Sequence, residues 1–358
     1  MKRKTKSRTT SLATDGSVLV RASSTGLGPF PSAEGPRIRN AEELIADRKL
    51  KLPKELVRGI FHRGTRGVLA GPSKSGKSWA ALDLGMSIAT GTPWLKWNTT
   101  KGRVLYLNYE IMEAAFAQRV LQVKAAKTDE LGELDFSDFD IVTMRGFTEP
   151  FQTAISKLLA NSEGPRYSLI VIDPLYKAIG GGKQNSAAAV EQMCRWLNKL
   201  SKSTEMAVLV VHHFTKGKQT NKPLLARFGG SVVITQDADT IIGLTEYPGE
   251  ENCFTMEFEL RNFPEQKALV VERKLPQFFI REDLDPNFLS ELATKKQGRS
   301  TGLLDLLDGD GLTTMEWEEL AKSQHDIPRA TFYRDKKELI EAGKAEQDKK
   351  TKLWRKAG

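Results

Sequence analysis

The chain has 358 residues, and its hydrophobic content of 39% is enough for the core of one large α/β domain and a smaller one. Its 54 Lys and Arg residues exceed its 45 Asp and Glu residues, and the formal net charge of +9 favours a polyanionic partner without identifying one. Only two cysteines, Cys194 and Cys253, are present, which excludes a disulfide framework of the secreted kind, and no apolar run is long enough to span a bilayer.

The amino-terminal segment predicts a disordered basic tail over residues 1–38. It contains the cluster Lys2-Arg3-Lys4 and, from 23 to 35, a stretch rich in Ser, Gly and Pro. No apolar segment follows the basic residues, so we expect no secretory signal, no membrane partner and a reducing, cytoplasmic location. The tail fits either a solvated segment or an arm that contacts DNA. Asn40 then caps a short predicted helix.

A glycine-rich motif follows the first apolar strand. Its eight residues are Gly71, Pro72, Ser73, Lys74, Ser75, Gly76, Lys77 and Ser78. The run Gly67–Ala70 before it predicts a strand, and Trp79–Met86 after it has the spacing of a helix. In that context the backbone N–H groups of the loop converge on phosphate oxygens, assisted by the positive end of the helix. Lys77 would reach the β- and γ-phosphates and the Ser78 hydroxyl would bind Mg²⁺, so the motif predicts a site for ATP and Mg²⁺.

From Gly67 onward, apolar runs alternate with amphipathic segments. Candidate strands are Gly67–Ala70, Val104–Leu107, Ile141–Thr143, Leu169–Ile172, Ala207–Val211, Asp239–Leu244 and Phe254–Leu260. Candidate helices are Ser78–Thr90, Met112–Ala126, Phe151–Asn161 and Ala187–Thr204. The alternation predicts an α/β fold with a mostly parallel sheet covered on both faces, in which ligands bind at the carboxyl ends of the strands.

Polar side chains stand at three of those strand ends. Glu110 follows one strand, and Asp173 ends another in the Walker B pattern, which is suited to hold Mg²⁺ through water. His212 and His213 end a third strand. Glu110 either acts in the site or only caps the next helix. The two histidines either sense the γ-phosphate through hydrogen bonds, which we favour, or bind a metal.

The character of the chain changes after Asp283. The polar run over residues 286–300 predicts a linker. Helices are expected over 301–307, 314–321 and 328–340, the second with Thr313 or Thr314 as its cap, and residues 344–355 suit a two-stranded wing. Residues 301–358 therefore predict a winged-helix domain, with Phe332, Leu339 and Ile340 facing its core.

The third of these helices carries the residues expected to contact duplex DNA. Arg329, Thr331, Arg334 and Lys337 are free to face phosphates or bases. Acidic residues nearby dilute the positive charge, so the same domain could instead dock a protein.

The order of these motifs resembles that of the RecA-like ATPases. The shared features are the P-loop, the glutamate after the next strand, the run Ile170-Val171-Ile172-Asp173-Pro174-Leu175 and the run His212-His213-Phe214-Thr215-Lys216. Within that group, residues 40–280 are most similar to the RepA-type hexameric helicases of plasmids and their AAA-labelled relatives in mobile elements. The resemblance implies a RecA-like ATPase domain over residues 39–285.

The resemblance also implies roles for single residues. Glu110 would polarise the attacking water, Asp173 would hold the metal, and His212, His213 and Lys216 would couple the γ-phosphate to DNA. Lys77 keeps its role at the phosphates. Such enzymes place the nucleotide between subunits and supply an arginine finger in trans. Arg261, at the end of a late strand, is preferred over Arg227 for this finger. Where the plasmid enzymes often carry an arginine after the Gly-Ser turn, this chain has Gln236-Asp237-Ala238-Asp239, which leaves the finger open.

Two polar loops complete the predicted motor. Lys183 lies in the loop after Walker B, and Lys216 and Lys218 lie after the histidines. They suit either single-stranded DNA in a ring channel or ordinary solvated loops. We expect an ATP-hydrolysing, hexameric, helicase-type motor for replication of a plasmid or other mobile element. The alternatives are a RecA-like ATPase that loads or regulates other proteins, and a DNA-binding initiator that uses ATP as an assembly switch.

Overall fold

The computed structural model describes residues 38–162, 166–179, 187–215, 222–231 and 233–357. The helices in these ranges are α1 Ala41–Ala46, α2 Lys77–Thr90, α3 Glu113–Leu131, α4 Phe151–Ala160, α5 Leu175–Ala178, α6 Ala187–Thr204, α7 Val233–Gln236, α8 Phe288–Asp305, α9 Thr314–His325 and α10 Arg329–Glu341. A 3₁₀ segment covers Leu224–Ser231.

The strands in the same ranges are β1 Glu55–Val57, β2 Phe61–His62, β3 Arg66–Gly71, β4 Val104–Asn108, β5 Phe139–Thr143, β6 Leu169–Asp173, β7 Ala207–His213, β8 Thr240–Glu246, β9 Cys253–Leu260, β10 Leu269–Lys274, β11 Gln277–Ile280, β12 Ala345–Gln347 and β13 Trp354–Lys356. The seven strands and four helices predicted between Gly67 and Leu260 are confirmed to within a few residues at each end. None of the helices in the described part of the chain has the length and apolar character that a bilayer-spanning helix needs.

The centre of the fold is a nine-stranded sheet with the order β11-β10-β9-β8-β3-β7-β6-β4-β5. The six strands from β8 to β5 in that order are mutually parallel, and β9, β10 and β11 are added antiparallel. Strands β3, β4 and β6 are buried throughout, as expected for parallel strands covered on both faces. The predicted α/β fold with a mostly parallel sheet is therefore confirmed.

The hairpin of β10 and β11 was not predicted. Its sequence reads as apolar residues interrupted by charges, and the last strand predicted from sequence was Phe254–Leu260. The hairpin packs over the start of α2: a Cβ placed on Gly76 would lie 2.8 Å from the Phe278 ring and 2.8 Å from Arg273 Cδ. This extension of the sheet forms one wall of the phosphate site.

The predicted linker over 286–300 is wrong, because these residues belong mostly to α8, which runs unbroken from Phe288 to Asp305. The polar run contains Lys, Gln and Arg, which are good helix formers, and a polar composition alone does not distinguish a helix from a linker. Arg299 from this segment lies 3.3 Å from the buried carboxylate of Asp335 on α10. The helix is therefore tied to the elements that follow it.

The carboxy-terminal helices and hairpin surround a small core of their own. Trp317 and Phe332 are fully buried and meet edge to face at 5.4 Å. Thr313 caps α9 in a capping box with Glu316, which settles the choice of cap. Ile340 was expected to face this core, but it is 39% exposed. Phe332 and Leu339 are seven residues, or about two helical turns, apart and therefore lie on the same buried face. Ile340, the next residue, is rotated by about 100° from that face. Strands β12 and β13 pair antiparallel where the wing was expected.

Candidate nucleotide-binding site

The phosphate loop joins β3 to α2 as the motif predicts. Gly71 ends β3, and Lys77 and Ser78 begin α2. Gly76 caps the helix with φ of +89°, a left-handed conformation that favours glycine. The turn ends where the helix N-terminus begins, so its N–H groups and the helix dipole converge on one point.

Lys77 lies inside this turn. Its Nζ donates to the carbonyl oxygen of Pro72 at 2.5 Å and to Ser75 Oγ at 3.4 Å. Burial lowers the pKa of Lys77 to about 8, and the carboxylates of Asp173 and Glu110 oppose this shift. The ammonium group is thus held at the loop, where it interacts electrostatically with the two carboxylates that sequence analysis assigned to the same site.

Strand register brings the Walker B aspartate to the loop. Asp173 ends β6 directly beside Asn108 of β4, and its buried carboxylate accepts hydrogen bonds from the hydroxyls of Ser78 and Tyr106. Burial raises the pKa of Asp173, while the two hydroxyls act against that shift.

The pairing of Ser78 with Asp173 permits a test of the predicted magnesium site. Mg²⁺ prefers oxygen donors and keeps several waters, and it commonly takes only one or two protein groups together with substrate phosphates. A hydroxyl and a carboxylate in mutual contact at the end of a phosphate loop fit that requirement. Ser78 and Asp173 are therefore the residues that would hold the metal.

Glu110 lies in the loop after β4, facing the same cleft. Its Oε1 is 3.9 Å from Lys177 Nζ, and about half of its side chain is exposed. Asn108, not Glu110, organises this loop, because its Oδ1 accepts the N–H of Ile111 at 2.9 Å. The N-cap of α3 is Met112, with no side-chain cap. The capping interpretation of Glu110 thus has no support in the structure, and its carboxylate lines the cleft beside Lys177.

The two histidines end β7 beside the loop, where Gly71 is the register partner of His213. His213 faces the cleft, and its ring lies 5.7 Å from that of Tyr176. His212 points instead into the protein, stacked on Phe228 at 6.2 Å. Burial lowers the pKa of His212 to about 4 and also lowers that of His213, so both imidazoles are neutral near pH 7.

A metal site at these histidines is not favoured. Within the described ranges, no three His, Cys, Asp or Glu side chains converge in a way that could hold a metal ion. The role of His213 as a hydrogen-bonding group at the phosphates remains a prediction.

The structure separates the two arginine-finger candidates. The Arg227 side chain is buried and pairs through both terminal nitrogens with the Glu257 carboxylate. Its Nε donates to the carbonyl oxygen of Lys222 at 2.8 Å. Arg227 is therefore unsuited to reach a neighbouring chain, and we correct its proposed role. The ion pair could not be predicted from the sequence, because Glu257 is 30 residues away from Arg227 in the chain.

Arg261 is exposed and donates one hydrogen bond, at 2.6 Å, to the carbonyl oxygen of Gln236. It follows β9, which runs antiparallel to β8, and Leu260 is the partner of Thr240 at the start of β8. Arg261 thus lies at the amino-terminal ends of the parallel strands, whereas the phosphate loop lies at their carboxyl ends. The six-residue length of β3 separates these two edges of the sheet by about 17 Å.

Three residues of the site were missed by sequence analysis. A cleft of about 570 Å³ contains the predicted loop, Glu110, Asp173 and His213, and it is also lined by Trp79, Arg119 and Arg273. The Arg119 guanidinium lies 4.9 Å from the centre of the Trp79 ring. Arg273 Nη1 donates to the carbonyl oxygen of Lys74 in the loop, and Arg273 Nη2 donates to Asn252 Oδ1 at 2.5 Å. Trp79 adjoins the motif and could have been noticed; the two arginines come from other elements and carried no signal.

The residues predicted to contact DNA on α10 are mostly exposed, and each of the three charged ones lies near a carboxylate. Arg329 lies 3.4 Å from Glu318, Arg334 lies 3.1 Å from the buried Asp335, and Lys337 lies 3.8 Å from Glu341. Thr331 is partly buried. The predicted channel residues Lys183, Lys216 and Lys218, like the tail up to residue 37, lie outside the described residues.

The parallel sheet, the phosphate loop and the aspartate at the end of β6 are the features of a P-loop ATPase with a RecA-like core, a class whose members bind a nucleotide together with a divalent metal. A model of the AAA domain family matches residues 37–219, just over half of the chain, and the chain belongs to that family.

Individual proteins show weaker similarity. The chain is 27% identical over 214 residues to DNA repair protein RAD51 homolog 4 of Bos taurus, which covers 56% of this chain and 62% of that protein. The match thus spans about three fifths of the relative's length. Among solved structures, the RadB recombinase aligns with 18% identity and a TM-score of 0.43, over 62% of this chain and 92% of that chain. A KaiC-like protein from Pyrococcus horikoshii OT3 aligns with 15% identity and a TM-score of 0.46, over 63% and 93%. The family assignment rests on the family match and the sheet topology.

Proposed function

We propose that the chain is an ATP-hydrolysing, DNA-binding motor of the helicase type that works as a homo-oligomer, a hexamer, in the replication of a plasmid or other mobile element. The observation that carries the proposal is the convergence of Lys77, Ser78, Glu110, Asp173 and His213 on one cleft at the carboxyl edge of the parallel sheet. These groups come from four separate strand ends. Core packing alone gives no reason for them to meet.

The cleft supports hydrolysis at the γ-phosphate. Lys77 supplies positive charge at the loop, and Ser78 and Asp173 would hold Mg²⁺, which neutralises phosphate charge when bound. The Glu110 carboxylate does not cap α3, and we propose that it orients and polarises a water molecule. Neutral His213 can exchange a hydrogen bond with the phosphate end of the cleft.

The position of Arg261 supports assembly. An arginine on the edge of the sheet opposite to its own phosphate loop cannot serve its own nucleotide, but it can serve that of a second chain. An exposed guanidinium with one carbonyl partner is free to move to a phosphate. We therefore propose Arg261 as the finger supplied in trans.

The DNA part of the proposal rests on charge and on the carboxy-terminal unit. We propose that α8, α9, α10 and the β12–β13 hairpin form a winged-helix domain that contacts duplex DNA through Arg329, Thr331, Arg334 and Lys337. The bovine relative is a DNA repair protein by name, which favours a nucleic-acid partner over a small-molecule substrate. Lys183, Lys216 and Lys218 are proposed to line a channel for single-stranded DNA.

One observation favours the loader alternative. Each of the three charged residues proposed on α10 has a carboxylate within 4 Å, which reduces the net attraction for phosphates. A unit of this kind can dock an acidic or mixed protein surface equally well.

The deciding experiment measures ATP hydrolysis with and without single-stranded DNA, together with the mass of the protein with a non-hydrolysable ATP analogue. We expect DNA to stimulate hydrolysis and the analogue to promote a ring of six copies. Hydrolysis that DNA does not change, in a protein that binds no DNA at low salt, would favour the loader.

A further inference from the structure

Tyr106 lies directly behind the candidate metal site, although it belongs to none of the motifs. It is on β4, and its side chain is fully buried. The parallel register pairs Tyr106 with Val171 and Asn108 with Asp173, so the side chains of Tyr106 and Asp173 leave the sheet on the same face. The Tyr106 hydroxyl oxygen is 2.6 Å from Asp173 Oδ2.

The direction of this hydrogen bond is fixed by chemistry. An ionised carboxylate only accepts hydrogen bonds. A tyrosine hydroxyl carries one proton that it can donate, and the Asp173 oxygen lies within hydrogen-bond distance of it. Tyr106 is therefore the donor, and one oxygen of Asp173 is held by it.

The ring cannot easily turn away from this bond. Its centre lies 5.0 Å from that of Phe116 and 6.1 Å from that of Phe139, inside the main core. The hydroxyl oxygen also lies 3.5 Å from the carbonyl oxygen of Ser78, in the first turn of α2. One fixed group thus touches both residues that would hold the metal.

We propose that Tyr106 is a positioning residue for Mg²⁺: its hydroxyl sets the orientation of the Asp173 carboxylate relative to Ser78 before nucleotide and metal bind. The inference rests on the proposed function, because it needs a nucleotide in the cleft. A purely structural role, in which the hydroxyl only avoids being buried without a partner, would leave metal binding unchanged when the hydroxyl is removed.

The test compares two substitutions that each remove one hydroxyl. Tyr106→Phe keeps the ring and loses the bond to Asp173. Tyr109→Phe is the matched control: Tyr109 follows the same strand, and its buried hydroxyl has no hydrogen-bond partner in the described part of the chain. Binding of a fluorescent, non-hydrolysable ATP analogue is titrated at a series of Mg²⁺ concentrations.

We expect the Mg²⁺ concentration at half-maximal effect to rise about tenfold in Tyr106→Phe, the fold-change that corresponds to about 1.4 kcal/mol for a hydrogen bond to a charged group. Binding of the analogue without Mg²⁺ should be unchanged, and Tyr109→Phe should match the wild type in both respects. A Tyr106→Phe protein with the wild-type Mg²⁺ midpoint would overturn the inference. So would an equal loss of affinity with and without Mg²⁺.

Two outcomes keep the inference separate from the proposed function. If the wild-type chain binds no ATP analogue at any Mg²⁺ concentration, the proposed function fails. If the wild type binds and Tyr106→Phe binds identically, only the inference fails. Should Tyr106→Phe not fold, 3-fluorotyrosine at position 106 retains the ring and the hydroxyl and makes the hydroxyl a stronger hydrogen-bond donor. A shifted Mg²⁺ midpoint at position 106 but not at 109 supports the inference, and equal responses at both positions refute it.

Discussion

Replacing Arg227 with alanine should destabilise the fold rather than silence hydrolysis in an intact protein. The Arg227 guanidinium is 3% exposed, and its partner Glu257 is 25% exposed. Removing one member of a buried ion pair costs about 3–5 kcal/mol, because the other charge stays behind without a partner. Partial exposure of Glu257 places the loss near the lower end, about 3 kcal/mol, or about 6–12 °C in melting temperature for a domain of this size.

The assay is thermal unfolding, combined with urea denaturation, of matched variants. Arg261→Ala is the control: its exposed guanidinium donates one bond, so its loss should cost about 1 kcal/mol or less. Replacing Arg227 and Glu257 together with methionine should recover much of the stability, since no unpaired charge remains. An Arg227→Ala protein that melts with the wild type but no longer hydrolyses ATP would refute this reasoning and restore Arg227 as a finger.

Three further predictions follow from the same structure. Arg273→Ala should weaken nucleotide binding several-fold with little loss of stability, because the Arg273 guanidinium donates to the carbonyl oxygen of Lys74 in the phosphate loop. The control in the same binding assay is Lys274→Ala, whose side chain is exposed on the hairpin. Ending the chain at Pro286, just before α8, should preserve ATP hydrolysis and lower duplex DNA affinity. Loss of hydrolysis would show that the carboxy-terminal helices and hairpin support the ATPase core. Burial lowers the pKa of His212 from 6.5 to about 4, so as the pH falls the unfolded chain takes up a proton before the folded chain does. The free energy of unfolding should therefore be unaffected by this group above pH 6.5 and should fall by about 2 kcal/mol by pH 5. Denaturation measured across this pH range should show a smaller fall for His212→Gln than for the wild type.

The parts of the site that sequence analysis identified share one property: they lie at the ends of apolar strands or in a loop with fixed spacing. Lys77, Asp173 and His213 lie in one cleft because parallel strands bring their carboxyl ends to one edge, whichever helices connect them. The burial of β3, β4 and β6 was readable for the same reason, since strands covered on both faces have almost no polar positions.

What sequence analysis missed depends on contacts between distant segments. Arg273 reaches the loop from a hairpin nearly two hundred residues away in the chain, and Arg227 is internal only because of Glu257. The polar segment before Arg299 was predicted as a linker from its composition. It is helical because tertiary contacts, such as the ion pair of Arg299 with Asp335, add to the helix propensity of its residues. None of these pairings has a local signature.

The hydrolytic role of the cleft is tested most directly by steady-state ATP hydrolysis and ATP binding of Glu110→Gln, with Glu113→Gln as the control. Glu113 is exposed in the first turn of α3, three residues further along, and outside the residues that line the cleft. We expect Glu110→Gln to bind ATP as the wild type does while its turnover falls by orders of magnitude, because the amide cannot polarise water. Glu113→Gln should retain both. Wild-type turnover in Glu110→Gln would contradict the assignment of this cleft as a hydrolytic site built around Glu110.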